Sequence, residues 1–336
     1  MTAPNLFDYA TTELSQDAFV CWMLAWADER AIVADPTMHQ TGLDLLNALL
    51  QLHGQPQFEH VRVQVHKQVY RADIVVEVGK HLILLIEDKI HAGADNDLKQ
   101  YHEIICRHFP HRTVLPIFFK TGDQSDYREI KQAGFKLFLR EQLLPVLRRW
   151  CDRVSNAIFM DFMENLERRH TKIGFYAVNP VAVWTEEWDP WIGFYTQLQK
   201  EIRGFGWDYV PNRNGGFMGA YWHSKTWMDP GTGLTHEVYL QIEQGPLCFK
   251  IDVGDNEPRG PRDRWHERLI GTAKECGLAE VRRPLRMGYG QWMTVARIEQ
   301  EHWLMERPDG TLDLDRTLVK LQIAADLIDR AVAAGI

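Results

Sequence analysis

Three residues in the stretch 71–90, RADIVVEVGKHLILLIEDKI, are of types that do chemistry together: Asp73, Glu87 and Lys89. Hydrolysis of a phosphodiester needs an activated water and neutralisation of the charge that builds on the phosphate oxygens. Mg²⁺ or Mn²⁺ meets both needs, held by hard oxygen ligands, commonly one or two carboxylates with several waters retained. Asp73 and Glu87 offer such oxygens. Lys89, two residues beyond Glu87, is suited to orient or deprotonate a water and to stabilise the transition state. The backbone carbonyl of Asp88 lies between the two functional side chains and can add a further metal ligand.

The elements that must position these groups are legible around them. Residues 73–78 and 82–89 read as two apolar strands folded back about Gly79-Lys80. Side chains alternate faces along a strand, so Glu87 and Lys89 point one way and Asp88 the other. A turn centred there sets Asp73 across from Ile86 or Glu87. Residues 82–86 are five consecutive apolar side chains, the pattern of an interior strand covered on both faces. Ending such a strand with Glu-Asp-Lys puts charge at the edge of the core, where unpaired charge is costly. The plainer reading is a strand that surfaces at this point, with Glu87 paired to Lys89 or Arg71.

Upstream, 14–29 is a helical stretch with Phe19, Met23 and Trp26 at helical spacing, and Glu13 stands at its start, where a carboxylate suits the helix dipole. A second helical stretch covers 42–52, and 61–69 alternates as a half-buried strand. Downstream, 91–94 reads as a loop with Asp95 as N-cap of a helix striped by Leu98, Tyr101, Ile104, Ile105 and Phe109. Strands over 114–119 and 135–139 follow, then helices over 141–150 and 155–169. The order is that of an α/β layered domain with a mixed sheet. Character changes near 175: nine of the twelve tryptophans lie at or beyond Trp184. Helices over 191–202, 263–276 and 314–333 and strands over 216–222, 237–243, 247–253, 292–298 and 303–307 predict a second, α+β domain on an antiparallel sheet. The domains are expected at 1–172 and 173–336.

Composition restricts the function classes. The 45% apolar and 25% charged make-up is that of a globular protein. No apolar run approaches the roughly 18–20 residues of a bilayer span, and no secretory signal is evident, so no membrane partner and a cytoplasmic location are expected. Five scattered cysteines without a CxxC pair argue for reduced thiols. The net charge of −8 gives no basic field for a polyanion, so bound metal and local patches must supply any attraction to nucleic acid. Candidates for such patches are Lys99, Arg107, Arg112, Lys120 and Arg128 in the first half, with 259–264 (RGPRDR) and Arg282-Arg283 in the second. His91 and His102 flank the hairpin and are candidates for phosphate contact. Neither a G-x-x-x-x-G-K-[ST] nor a G-x-S-x-G pattern is present.

The hairpin, with Asp73 on one strand and Glu87-Asp88-Lys89 ending the next, resembles the PD-(D/E)XK nuclease superfamily. The similarity extends over about 5–170: the order α-βββ-α-β, the E-L-x-x-x-A-F phrase at 13–19, and IEDKIHAG at 86–93 are similar to a branch of uncharacterised bacterial nuclease-like proteins. The resemblance implies a restriction-endonuclease-like fold and a Mg²⁺- or Mn²⁺-dependent endonuclease. Metal would be held by Asp73, Glu87, the Asp88 carbonyl and Glu13, the last in the place of a frequent extra ligand. The superfamily's Q-x-x-x-Y helix motif is matched at Tyr101 but not at Asp97, where a glutamine would stand; Gln100 is the neighbouring amide. Both Gln100 and Tyr101 are therefore expected in a supporting, phosphate-contacting role. DNA is favoured over RNA on superfamily base rates, and restriction or phage defence is an analogy from fold. The second domain is expected to recognise substrate, a protein partner or trigger, or its own copy in a homodimer. The alternative is a catalytically weak nuclease fold acting as a binding or sensor protein through that domain.

Overall fold

The computed structural model describes residues 4–90, 97–211, 215–254, 260–288 and 290–333. The chain divides into two compact units, 1–171 and 172–336. Asp95 and the 91–94 loop expected before the third helix lie outside the described residues, as do His91 and Arg259.

Unit 1 is organised on the hairpin. Strands β1 (Val63–Val69), β2 (Ala72–Val78) and β3 (Leu82–Lys89) form an antiparallel meander, and β4 (Thr113–Lys120) and β5 (Lys136–Leu139) continue it in parallel, giving the spatial order β1-β2-β3-β4-β5. The switch to parallel pairing is enforced by a helical crossover, α3 (Leu98–His108), between β3 and β4. The hairpin register sets Val78 opposite Leu82 and Ile74 opposite Ile86, so one further step sets Asp73 against Glu87.

All eight residues of β3 are buried, as its continuous apolar run requires. Its even positions, Leu84 and Ile86, pack with Ile117 and Phe119 against Phe19, Met23, Leu46 and Phe159. Those partners come from α1 (Glu13–Ala25), α2 (Pro36–Gln51) and, after α4 (Arg128–Gln132) and α5 (Arg140–Arg148), α6 (Ala157–Gly174). Its odd positions, Ile83 and Leu85, pack with Phe118 against Leu98 and Ile105 of α3 and Ile130 of α4. The helix expected over 42–52 begins earlier because Pro36 takes the first turn and the Asp35 carboxylate accepts from the amides of Thr37 (2.9 Å) and Met38 (3.0 Å).

Unit 2 carries a second five-stranded sheet, antiparallel throughout, in the order β10-β9-β8-β7-β6. Its elements are α7 (Val181–Trp184), α8 (Trp188–Glu201), β6 (Gly206–Val210), β7 (Phe217–Met228), β8 (Thr235–Glu243), β9 (Leu247–Asp252), α9 (Gly260–Glu275), β10 (Trp292–Ile298), α10 (Gln300–Trp303) and α11 (Leu314–Ala333). One sheet face, including Trp222, Leu240 and Phe249, is packed with Trp191, Trp265, Leu321 and Ile328 from the helices. The strand expected over 303–307 does not form. Trp303 ends a helical turn, its indole N–H donating to the Gly245 carbonyl at 2.8 Å, and Glu306 makes only an isolated bridge with Leu312. Strand β6 was not foreseen. Trp207, Trp222 and Trp227 are core, whereas Trp292 is 61% exposed. Among the described residues, no helix is long and apolar enough to cross a membrane.

Candidate active site

Lys89 is the centre of a charge cluster at the end of β3. Its Nζ lies 2.7 Å from Glu87 Oε1, 3.4 Å from Asp73 Oδ2 and 3.9 Å from Glu13 Oε2. Backbone amides hold two of the carboxylates in place: Asp88 N–H donates to Asp73 Oδ2 at 3.0 Å and Ile90 N–H to Glu13 Oε1 at 3.2 Å. The structure thus brings together Glu13, Asp73, Glu87 and Lys89 from α1, β2 and β3. The strand does not surface here. Glu87 is 2% and Lys89 6% exposed, so the Glu87–Lys89 pair is a buried one rather than an incidental surface contact. Burial alone would favour a neutral amine, but the hydrogen bond and charge of Glu87, with Asp73 and Glu13 behind it, outweigh desolvation and hold Lys89 above its ordinary range. It stands as an ammonium.

Asp88 points to the opposite face, as alternation requires, into a network that the sequence reading missed. Gln16 Nε2 donates to Asp88 Oδ1 at 2.6 Å and to the Lys89 carbonyl at 3.2 Å, and the Thr121 hydroxyl donates to Gln16 Oε1. Asp17 lies within hydrogen-bond reach of Asp88, and its other oxygen accepts from Gln68 Nε2 at 3.0 Å. Burial raises both acids, Asp88 strongly; Oδ2 of Asp88 and Oδ1 of Asp17 make no hydrogen bond to the described residues, and one proton shared between the two carboxyls would satisfy them. Gln68 also donates to Asp73 Oδ1 at 3.1 Å, so this network touches the Lys89 cluster. One signal was available: Gln16 and Asp17 precede Phe19 and Val20 at helical spacing, which places polar groups on the buried stripe of α1.

Close packing fixes the strand end. A side chain at Gly122 would put its Cβ 1.9 Å from the Ile90 carbonyl oxygen, so only glycine lets the chain leaving β4 pass the end of β3. Lys120, in register with Lys89, is fully buried rather than on a solvated face, and burial lowers it to about 8. A cavity of about 180 Å³ lined by Gln16, Ile90, Thr121 and Arg169 adjoins the network.

The other candidates are dispersed. Gln100 is exposed and accepts from Arg71 Nη1 at 3.3 Å, while Tyr101 is half-buried against the α3-side core. Asp97 precedes α3 with no capping bond from its side chain. Arg107, Arg112 and Arg128 are engaged by Glu103, Glu77 and Asp126. In unit 2, Arg262 is buried and donates to the Gly290 carbonyl, and Arg264 is paired with Asp229 at 2.5 Å, so this segment serves the fold rather than a polyanion. Arg282 and Arg283 are exposed. Among the described residues, no set of three or more His, Cys, Asp or Glu has the spacing of a metal cage. The carboxylates of Glu13, Asp73 and Glu87 surround an ammonium instead.

Comparison of the chain with protein-family models, curated proteins and solved structures finds no match.

Proposed function

We propose that unit 1 is a metal-dependent nuclease domain that hydrolyses phosphodiester bonds of nucleic acid, DNA before RNA. The observation that carries this reading is the convergence of three carboxylates and one ammonium on the end of a buried interior strand. Charge there costs several kcal/mol per ion unless it is compensated, and a fold gains nothing from building it where apolar side chains would pack.

The donor set suits Mg²⁺ or Mn²⁺: among the described residues the groups gathered at Lys89 offer carboxylate oxygens. Asp73 and Glu87 would hold the ion, with Glu13 assisting and the Asp88 carbonyl between them. When bound, the ion supplies charge neutralisation and a more acidic water. Lys89, kept charged by its neighbours, is better suited to orient the water and stabilise charge on the phosphate than to remove a proton. Gln68 and the Asp88 amide fix Asp73, and the Ile90 amide fixes Glu13, so the carboxylates are oriented by groups that need not move. Gln100 and Tyr101, at the start of α3, are the groups offered to a flanking phosphate.

The test is cleavage of supercoiled plasmid, linear duplex, single-stranded DNA and RNA with Mg²⁺, Mn²⁺ or EDTA, alongside Glu87→Gln and Lys89→Met. Metal-dependent cleavage lost in both variants supports the reading. Identical behaviour of wild type and variants on every substrate refutes it. The closed ion pairs of Lys89 favour one rival, a nuclease-like fold whose charge cluster only fastens α1, β2 and β3 and whose work is binding. That rival expects both variants to lower stability without any activity to lose.

A further inference from the structure

The sheet of unit 2 has a second, partly open face: Cys248, Gln241 and Lys250 on it are buried, whereas Trp292 and Tyr221 are exposed. Register places its outward side chains in rows: Trp292 beside Asp252 and Glu237, Lys250 beside Tyr239, and Cys248 beside Gln241 and Tyr221. The intervening positions, Val238, Leu240, Phe249 and Ile251, belong to the apolar core on the other face. All of these outward residues except Cys248 line a cavity of about 570 Å³, a volume within the range of organic ligand sites.

Three features define what this cavity can hold. Its rings are presented: Trp292 is 61% and Tyr221 43% exposed, while neighbouring tryptophans of the same sheet are core. Its charge is acidic. Lys250 and Glu243 pair with each other at 2.8 Å and His223 pairs with Asp329 at 3.0 Å, which leaves Glu237 and Asp252 as lining acids with no cation among the described residues. The Tyr239 hydroxyl registers that field, raised by burial and then by Asp252, Glu237 and Glu243 together. Finally, Gln241 lines the cavity from the outward face of β8 and adds a neutral amide to it.

A phosphate would meet the carboxylates of Glu237 and Asp252 and no uncommitted cation among the described lining residues. A planar cation meets what is present: π-faces to stack on, carboxylates to receive bidentate donors, and an amide oxygen to accept another. We propose that the open face of the unit 2 sheet binds an arginine side chain presented by a partner polypeptide, its guanidinium lying against the Trp292 and Tyr239 rings and donating to Glu237 and Asp252. The cavity exceeds a guanidinium alone and has room for the flanking peptide. This assignment draws nothing from the chemistry proposed for unit 1.

The test is calorimetric titration of the full chain with a blocked Gly-Gly-Arg-Gly-Gly peptide, its citrulline and lysine counterparts, and a single-stranded oligonucleotide. The arginine peptide should bind saturably and weaken about tenfold or more with citrulline, in Glu237→Gln/Asp252→Asn, and in Trp292→Ala. These positions lie on the outward sheet face, and unchanged circular dichroism confirms that the variants fold. No binding of the arginine peptide at about 1 mM overturns the proposal. So does equal binding of the citrulline or lysine peptide, or tighter binding of the oligonucleotide that the same variants abolish.

Discussion

Replacing Asp88 with asparagine is a sharp test of the buried acid pair. A proton shared between Asp88 and Asp17 would satisfy two carboxylate oxygens that make no hydrogen bond to the described residues. Burial raises the pair, so the folded state keeps a proton that the unfolded chain releases near the ordinary carboxyl value of 3.8. Protons bound in the folded state exceed those in the unfolded state above that point, so stability falls as pH rises from it toward the raised folded value. The limiting slope for one proton is about 1.4 kcal/mol per pH unit. An asparagine keeps the bond from Gln16 through its carbonyl and donates to Asp17 through its amide, with no proton to lose. Asp88→Asn should therefore be more stable than wild type by an amount that grows with pH across the window. Asp88→Ala should lose about 1–3 kcal/mol, because Gln16 keeps only the Lys89 carbonyl as acceptor and the buried Asp17 oxygen facing position 88 loses its neighbour. The assay is urea unfolding followed by circular dichroism between about pH 4 and 8, in EDTA. A difference between Asp88→Asn and wild type that does not change with pH, or an asparagine variant as weak as the alanine one, refutes the shared proton.

Lys89→Ala leaves three carboxylates without their cation and should cost about 3–5 kcal/mol in EDTA; saturating Mg²⁺ should raise its unfolding midpoint more than that of wild type, and equal shifts would count against a cation site at this place. Gly122→Ala forces the chain away from the Ile90 carbonyl and should lose about 2 kcal/mol or more, measured by thermal unfolding; an unchanged midpoint would show that the close approach is not real. Arg264→Ala removes both bonds to the buried Asp229 and should cost about 3–5 kcal/mol near neutral pH. Arg264 holds Asp229 well below the ordinary carboxyl range, so that contribution is present above pH 3.8 and is lost as pH falls toward the folded value. The gap between wild type and Arg264→Ala should accordingly close in acid, and a gap that is constant with pH would contradict the pairing.

Much of unit 1 was legible because its signals are local. A five-residue apolar run between a turn and three charges identifies an interior strand, and two-residue periodicity separates Glu87 and Lys89 from Asp88. Glu13 was reached only through the family resemblance, yet the structure brings it to Lys89. The Gln16–Asp88–Thr121 network was not legible because its members are far apart in the chain and individually ordinary; only polar residues on the α1 stripe hinted at it. Lys120, a patch candidate by residue type, is buried because parallel pairing to β3 carries it alongside Lys89. The RGPRDR segment misled in the opposite sense, since its arginines find Asp229 and a backbone carbonyl that no spacing rule connects to them. The 303–307 stretch has strand-like composition, but Trp303 is held by Gly245 in a helical turn.

The partners of Lys89 differ greatly in chain distance. Glu87 is a near neighbour on the same strand, Asp73 is 16 residues away across a tight hairpin, and the bond from Ile90 to Glu13 closes a loop of 77. Closing a loop costs entropy that grows with its length, so the hairpin can gather two carboxylates and the ammonium before α1 docks. Assembly of the cluster then has an order, with Glu13 arriving last. In refolding, Glu13→Gln should leave the folding rate nearly unchanged and hasten unfolding, the kinetic signature of a contact made after the transition state.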